Sequence, residues 1–234
     1  MRLIRNSGAD RVVDELRRCI TAHGVLDVAT PALSLFAFAE LQGLLDDVAR
    51  CRLMLPAPRF GAPAFLGTEN DRPFRNRLQT RWLARQCAAW LAAKADVRAA
   101  LGAIPQATLS VGSAQSGPTR VITGTCAFTT EGLGLTPSNG LSLIQVAESA
   151  EECALLGAWF TTHWNSLPAS GDAKRVLLEQ LRDYASDQPP ALVYFLTLYH
   201  LFKDLSGDLD EDRIVRAATG IRDFAALSFE AQKL

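Results

Sequence analysis

Residues 10–57 alternate twice between a helical pattern and a short buried strand, and this alternation narrows the choice of fold more than any other feature. Residues 10–22 space their apolar side chains along one face of a helix, and VLDVAT at 25–30 follows as a buried strand. The pattern repeats with an apolar-faced helix over 33–49 and a second strand, CRLMLPA, at 51–57. Two strands joined by a helix are typical of a βαβ unit, so the sequence predicts an α/β protein.

The next part of the chain combines one long helix with a cluster of short strands. Residues 74–95 form the longest helical pattern in the sequence. Four strand-like runs follow, which are VRAALG, ATLSVG, TRVITG and LSLIQVA, and a helix over 149–166 closes this part. We therefore expect a mixed β-sheet with helices packed on it.

A change of composition marks a predicted domain boundary. Residues 166–175, SLPASGDAKR, mix Pro, Gly, Ser and charged residues in the manner of a linker. Only helical patterns follow, and the middle one, PALVYFLTLYHLF, is apolar enough to need a partner surface. The sequence thus predicts one domain over 1–168 and a helical appendage over 169–234.

Composition narrows the function classes. The chain has 234 residues, of which 48% are hydrophobic and 21% charged, as in an ordinary soluble globular protein. No apolar run approaches the roughly 20 residues that span a bilayer, and the N-terminus lacks the apolar core of a secretory signal. The five cysteines form no CxxC or Cys/His cluster, which argues against disulfides and a zinc site. We expect a cytoplasmic protein with reduced thiols, no membrane contact and no cofactor, since nucleotide-binding glycine motifs are also missing.

Positive charge is concentrated in one segment. Residues 50–100 hold ten Lys or Arg against three acids, a local balance of +7. Within the helix over 74–95, Arg77, Arg81 and Arg85 recur at i, i+4 and i+8 and share one face. Arg59 and Arg72 in the preceding loop would extend this arginine stripe. The stripe suits the phosphate backbone of a nucleic acid, and the alternative is a solvated helix face.

The four tryptophans allow two interpretations. Trp82 and Trp90 lie on the arginine-rich helix, and Trp159 and Trp164 lie on the closing helix. They could be stacking platforms for bases. Their helical spacing beside apolar neighbours favours packing in the core or at an interface instead.

Several stretches together resemble a known family. They are IRNSGADRVVDELRRCI, VLDVATPALSLFAFAEL, CRLMLPA, VITGTCAFTTEGLGL and GAWFTTHWNSLP. Over residues 2–168 the chain resembles a phospholipase D-like domain of the kind that precedes helicase modules in bacterial restriction and defence systems. The resemblance implies a phospholipase D-like mixed sheet flanked by helices. It also implies that residues 169–234 lead into a helicase or dock a partner.

The family's catalytic residues are missing at the corresponding positions. Family members use a His-x-Lys on a strand, in which His attacks phosphorus, while the Lys and a loop Asn hold the phosphate charge. Here the His and Lys positions fall on Gln106 and Thr108, and the loop Asn position falls on Ala127. None of the three can replace the family residue. The resemblance therefore implies a pseudo-nuclease.

The histidines offer no substitute by sequence. His23, His163 and His200 all lie on predicted helices or at their ends, and none has a Lys two residues later. We interpret all three as structural or surface residues. No paired carboxylates suggest a metal site or general acid–base catalysis.

Three functions remain open at this level. The first is a non-catalytic module that binds DNA or docks a helicase or nuclease in a restriction or anti-phage system. The second is a protein–protein interaction subunit without nucleic-acid contact. The third is a phosphodiesterase whose site is completed by another chain. A homodimer is also possible, because single-motif relatives pair two chains into one site.

Overall fold

The computed structural model describes residues 1–57, 65–68, 71, 79–138, 140–186, 194 and 198. Its centre is a seven-stranded mixed sheet, in the order β1-β7-β6-β5-β2-β3-β4. The strands are β1 (Arg2–Ile4), β2 (Val25–Ala29), β3 (Arg50–Pro56), β4 (Ala95–Ala100), β5 (Ala107–Ser113), β6 (Gly117–Gly124) and β7 (Ile144–Ala147). The described helices are α1 (Val12–Cys19), α2 (Leu35–Leu45), α3 (Thr80–Lys94), α4 (Ala150–Ser166) and α5 (Asp172–Tyr184).

Strand directions confirm the predicted α/β class. β2 pairs in parallel with β3, and β3 pairs in parallel with β4. The other pairings, β2–β5, β5–β6, β6–β7 and β1–β7, are antiparallel. Each predicted strand forms, whereas β1 was not predicted, because three residues are too short to carry a strand pattern. The predicted helix over 74–95 lies within the described residues only from residue 79 onward, and there α3 spans Thr80–Lys94.

One face of the sheet carries the main hydrophobic core. On β3, Cys51, Leu53 and Leu55 point to this face, and all three are buried. Helices α1, α2, α3 and α5 contribute to the same cluster. α2 begins at the N-cap Ser34, whose side chain accepts a hydrogen bond from the Phe36 amide, and it is apolar around most of its circumference. Each large apolar side chain buried here contributes roughly 1.5–3 kcal/mol to folding.

The opposite face is covered by α4 alone among the described helices. Near β2 and β3, Phe160 and Trp164 pack with Ala29 and Met54. A second small cluster joins Cys153 to β6 and β7. Thus α4 crosses this face and leaves part of it open.

Helix α5 belongs to the core, although the sequence assigned it to the appendage that begins at residue 169. Leu177 and Leu181 are buried in the main cluster, where α5 packs on α3 and β4. The main core therefore extends beyond residue 168. The apolar stretch PALVYFLTLYHLF lies outside the described residues except for Tyr194 and Leu198.

Candidate functional site

An open cleft lies where α4 leaves the sheet uncovered. We call it the β5–α4 cleft, and it has a volume of about 670 Å³. Its lining residues are Ala29, Met54, Ala100–Pro105, Gln106, Thr108, Thr123, Leu156, Trp159, His163, Ser166 and Leu167. The floor follows from strand register, because Thr123 pairs with Thr108, Thr108 with Ala29, and Ala29 with Met54. These four residues form one row across the sheet.

Gln106 and Thr108, the predicted counterparts of the family His and Lys, both line the β5–α4 cleft. Gln106 immediately precedes β5, and Thr108 is the second residue of that strand, so the two side chains share one face. The Thr108 side chain is largely buried, with the residue 6% exposed, whereas Gln106 is exposed. Both groups hydrogen-bond without carrying charge, and neither supplies the imidazole or the ammonium group of a His-x-Lys pair.

The loop after β6 is fixed by its own backbone. Gly124 ends β6 with φ +124°, and a Cβ there would lie 2.0 Å from the Leu143 carbonyl oxygen, so only glycine fits. The Phe128 amide donates to the Thr30 hydroxyl at 2.9 Å, and the Phe128 carbonyl accepts from the Ser34 amide at 2.9 Å. These contacts hold the loop against the segment between β2 and α2.

A buried carboxylate ties this loop to α2. Asp71 is fully buried and accepts hydrogen bonds from the Ser34 hydroxyl at 2.6 Å, the Thr68 amide at 2.9 Å and the Thr130 amide at 3.3 Å. Charge-assisted hydrogen bonds of this kind are stronger than neutral ones. Ala127, the third predicted site position, is half-buried in this loop and is not among the residues that line the β5–α4 cleft.

One wall of the cleft is aromatic. Trp159 and His163 lie one turn apart on α4, with ring centroids 4.6 Å apart. His163 Nδ1 lies 2.9 Å from the Trp159 carbonyl oxygen, and a hydrogen bond between them requires the tautomer that carries its proton on Nδ1, because a carbonyl only accepts. Thus His163 lines the cleft beside Gln106 and Thr108, whereas His23 is exposed at a position with φ +60°. His200 lies outside the described residues.

Two cations on the α4 face of the sheet are engaged by other groups. Arg52 forms two hydrogen bonds of 2.7 Å with Asp27, which hold the pKa of Arg52 above its ordinary value. Its guanidinium also lies 5.1 Å from the Phe160 ring centroid. Arg98 lies 4.5 Å from the Trp164 ring centroid and donates to the Trp164 carbonyl at 2.6 Å. Both cations therefore stabilise the packing of α4 on the sheet.

The predicted arginine stripe is described only in part. Arg81 donates to the Ser186 carbonyl at 2.7 Å, and Arg85 donates twice to the Ala185 carbonyl, at 3.0 and 3.3 Å. Both carbonyls lie just beyond the C-terminal end of α5, where helices leave acceptors unsatisfied and favour positive charge. Arg59, Arg72 and Arg77 lie outside the described residues.

Lys94 also donates a hydrogen bond to a backbone carbonyl near the end of a helix. It donates to the Val48 carbonyl at 3.0 Å, shortly after the end of α2, as Arg98 does at the end of α4. Backbone carbonyls at the ends of three helices thus take the place of the acids that are scarce over residues 50–100. A sequence pattern cannot reveal such partners.

The tryptophans divide into two pairs. Trp90 donates its indole N–H to the Leu45 carbonyl at 2.8 Å and packs against Phe38, and Trp164 is 5% exposed. These two are structural, as their spacing indicated. Trp82 and Trp159 are 52% and 42% exposed and remain candidates for contact with a ligand.

A second charged cluster was not predicted. Buried Glu15 lies 2.7 Å from Arg2, 3.2 Å from Arg18 and 3.5 Å from Arg120, and Arg120 also pairs with Glu148 at 2.9 Å. These pairs join β1, α1, β6 and the segment after β7. Because acids and bases are interspersed, we interpret the cluster as structural.

Three properties of the described residues bear on function. The five cysteines are free thiols, four of them buried. No three His, Cys, Asp or Glu side chains in the described part of the chain are arranged to hold a metal ion. None of the described helices is long and apolar enough to cross a bilayer.

Comparison with known proteins gives no family assignment: no protein-family model and no curated protein sequence matches this chain.

Proposed function

We propose that this chain is a non-catalytic phospholipase D-like module that binds DNA, docks a helicase or nuclease, or does both, in a restriction or anti-phage defence system. The proposal rests on the sequence resemblance over residues 2–168. The geometry that best supports it is the β5–α4 cleft, which is lined by the uncharged Gln106 and Thr108, the residues that the resemblance aligns with the family's reactive pair.

A site for phosphodiester chemistry needs both a nucleophile and positive charge. Phosphoryl transfer requires a nucleophile and cations that stabilise the developing negative charge. No Lys or Arg side chain is among the described residues that line the cleft. The nearby Arg52 and Arg98 bind Asp27 and backbone carbonyls instead. This lining supports the proposal of a non-catalytic module.

A protein–protein interaction subunit is the second candidate, and a specific observation favours it. Arg81 and Arg85 donate to carbonyls at the end of α5, which gives them a structural reason to be present. Exposed Leu101 and Leu155 also place apolar surface on the protein. Binding to nucleic acid therefore has to be tested directly.

The first experiment measures phosphodiesterase activity with a chromogenic diester and with single- and double-stranded DNA. We expect no turnover above a buffer blank from the wild type or from the Gln106→Ala variant. Turnover that disappears in Gln106→Ala would refute the non-catalytic assignment. Addition of a co-purified partner tests the third function, in which another chain completes the site.

The second experiment measures DNA binding as a function of salt. Removal of one phosphate-binding cation should reduce the slope of log K against log salt by about 0.9 on duplex DNA. We would compare Arg77→Glu with Arg50→Glu, a matched charge reversal at an exposed residue. Arg50 and Arg81 lie near opposite ends of α3. Cys51, the neighbour of Arg50, pairs with Ala95, and Ala95 directly follows the C-terminal end of α3.

Arg81→Glu and Arg85→Glu need a separate control, because these changes also remove hydrogen bonds to the end of α5. Their melting temperatures should be measured beside their affinities. Weaker binding by Arg77→Glu with unchanged binding by Arg50→Glu supports DNA contact through the stripe. Equal binding by all variants and the wild type would place the DNA contact outside the stripe, whereas no DNA binding by the wild type would transfer the proposal to the protein–protein candidate.

A further inference from the structure

We propose that the β5–α4 cleft is a nucleobase-binding pocket, in which an unpaired base stacks on Trp159 and hydrogen-bonds to Gln106, Thr108 and Thr123. This inference rests on the proposed function, because it gives the module a means of holding single-stranded nucleic acid. The cleft would bind a base, whereas the arginine stripe would bind the phosphate backbone.

The size of the cleft fits a small planar ligand. Its volume of about 670 Å³ lies within the range of roughly 300–1,000 Å³ that is typical of small-molecule pockets. Met54, Leu156 and Leu167 supply apolar contacts around it. A nucleobase with its sugar fits such a volume and buries its faces against these side chains.

The floor supplies hydrogen bonds of the kind a base edge needs. Thr108 and Thr123 are cross-strand neighbours, and Gln106 lies two residues before Thr108 on the same face. A hydroxyl both donates and accepts, and an amide carries two donors and an acceptor. Within the part of the chain that the structure describes, these three side chains make no hydrogen bond, so their polar groups are available.

The wall supplies the stacking surface. Trp159 is 42% exposed while it lines the cleft, which is unusual for an indole that only packs in a core. Its i+4 neighbour His163 is held by a hydrogen bond to the Trp159 carbonyl and extends the aromatic wall. Stacking on an aromatic side chain tolerates any base, because every base has a π-face.

Charge decides between a base and a phosphate as the occupant. His163 is the only titratable side chain among the described residues that line the cleft, and no Lys or Arg is among them. An anion would find no Lys or Arg counter-charge there, whereas a neutral base needs none. The same base could come from a free nucleoside or from a strand, and both sources share this recognition chemistry.

The test uses the full chain with four probes: adenosine, adenosine 5′-monophosphate, thymidine and a single-stranded deoxyadenosine dodecamer that contains 2-aminopurine. Binding is followed by quenching of tryptophan emission and of 2-aminopurine emission. Trp159→Ala should weaken binding of the dodecamer on the order of 10-fold, the size expected for the removal of one stacked base. Adenosine and its monophosphate should bind with equal affinity, and added salt should change neither.

Matched control variants distinguish binding in the cleft from nonspecific binding elsewhere on the protein. Trp82→Ala removes the other exposed tryptophan, and Leu155→Ala removes an exposed apolar side chain on α4. Neither residue lines the cleft, so both variants should bind adenosine and thymidine as the wild type does. Thr108→Val keeps the shape and removes one hydroxyl, and it should change the ratio of adenosine to thymidine affinity. Circular dichroism confirms that each variant is folded.

Each outcome decides the question. If Trp159→Ala and Thr108→Val both bind the dodecamer as the wild type does, the cleft is not a base site, while DNA binding by the module stands. If nucleosides quench Trp159 but the dodecamer does not bind, the pocket stands and the DNA part of the proposed function fails. If no probe binds, or if only the monophosphate binds and salt abolishes it, the inference is overturned.

Discussion

The two faces of the central sheet differ in the side chains that they carry. The face under α1, α2, α3 and α5 is a continuous apolar core. The face under α4 holds two small apolar clusters, a bidentate Asp27–Arg52 pair and the open β5–α4 cleft. The first face accounts for stability, and the second has room for a ligand.

On strand β5, adjacent residues point to the two different faces of the sheet. Leu109 and Val111 point into the main core, whereas Thr108 and Ser110 point to the α4 face. Because successive side chains on a strand alternate between faces, uncharged residues at the positions that resemble the family's reactive pair leave the core undisturbed. Exchange of residues on the α4 face of β5 is therefore compatible with an unchanged core.

The largest expected effect is on the core face. Leu109→Ala removes a side chain that is fully buried in the main cluster, and we expect it to cost about 2–5 kcal/mol of unfolding free energy. Urea denaturation followed by circular dichroism measures it. A cost below about 1 kcal/mol would mean that this face is less tightly packed than a protein core.

A smaller effect is expected from the ion pair on the other face. Arg52→Met leaves Asp27, whose side chain is 14% exposed, without its bidentate partner, and we expect a cost of about 2 kcal/mol. The double variant Asp27→Leu/Arg52→Met should recover most of this loss, because two apolar side chains can pack beside Phe160 and Trp164. A double-mutant cycle in urea measures the coupling. Additive single costs would contradict a direct interaction.

The order of helices and strands was largely predictable because its signals are local. VLDVAT and CRLMLPA are short apolar runs bounded by breakers, and they form β2 and β3, joined in parallel through α2 as predicted. β1 escaped prediction because three residues carry no period, and only pairing with β7 makes them a strand. A local sequence pattern identifies helices and longer strands, whereas a strand as short as β1 depends on its pairing with another strand.

The candidate site was predictable in part for the same reason. Gln106 and Thr108 were identified by resemblance, and strand alternation places them on one face. Thr123 enters the site only through its cross-strand pairing with Thr108, and Trp159 and His163 enter through the packing of α4. These are long-range relations that a single sequence does not express.

The excess of positive charge illustrates a second limit of prediction from the sequence. The excess of cations over 50–100 pointed to an external polyanion, but Arg85, Lys94 and Arg98 donate to backbone carbonyls at the ends of three helices. Side-chain acids are visible in a sequence, whereas carbonyl acceptors depend on where a helix ends.

Arg85 offers the next test, which sharpens the comparison by measuring what a cation contributes on the core face. Arg85→Ala removes two hydrogen bonds to the Ala185 carbonyl, and we expect a loss of about 1 kcal/mol of unfolding free energy. Arg85→Lys keeps the charge and should recover part of this loss. Unchanged stability in Arg85→Ala would show that its bonds to α5 contribute little and would strengthen the case for the arginine stripe.

The smallest effect is expected at the floor of the cleft. Thr108→Val preserves shape and removes a hydroxyl that makes no hydrogen bond within the described residues, so the free energy of unfolding should change by less than about 1 kcal/mol. Urea denaturation beside Leu109→Ala gives the contrast on adjacent residues. A loss as large as that of Leu109→Ala would mean that the hydroxyl is part of the packed structure rather than of a binding surface. A near-neutral result, together with altered base preference, would place stability on one side of β5 and recognition on the other.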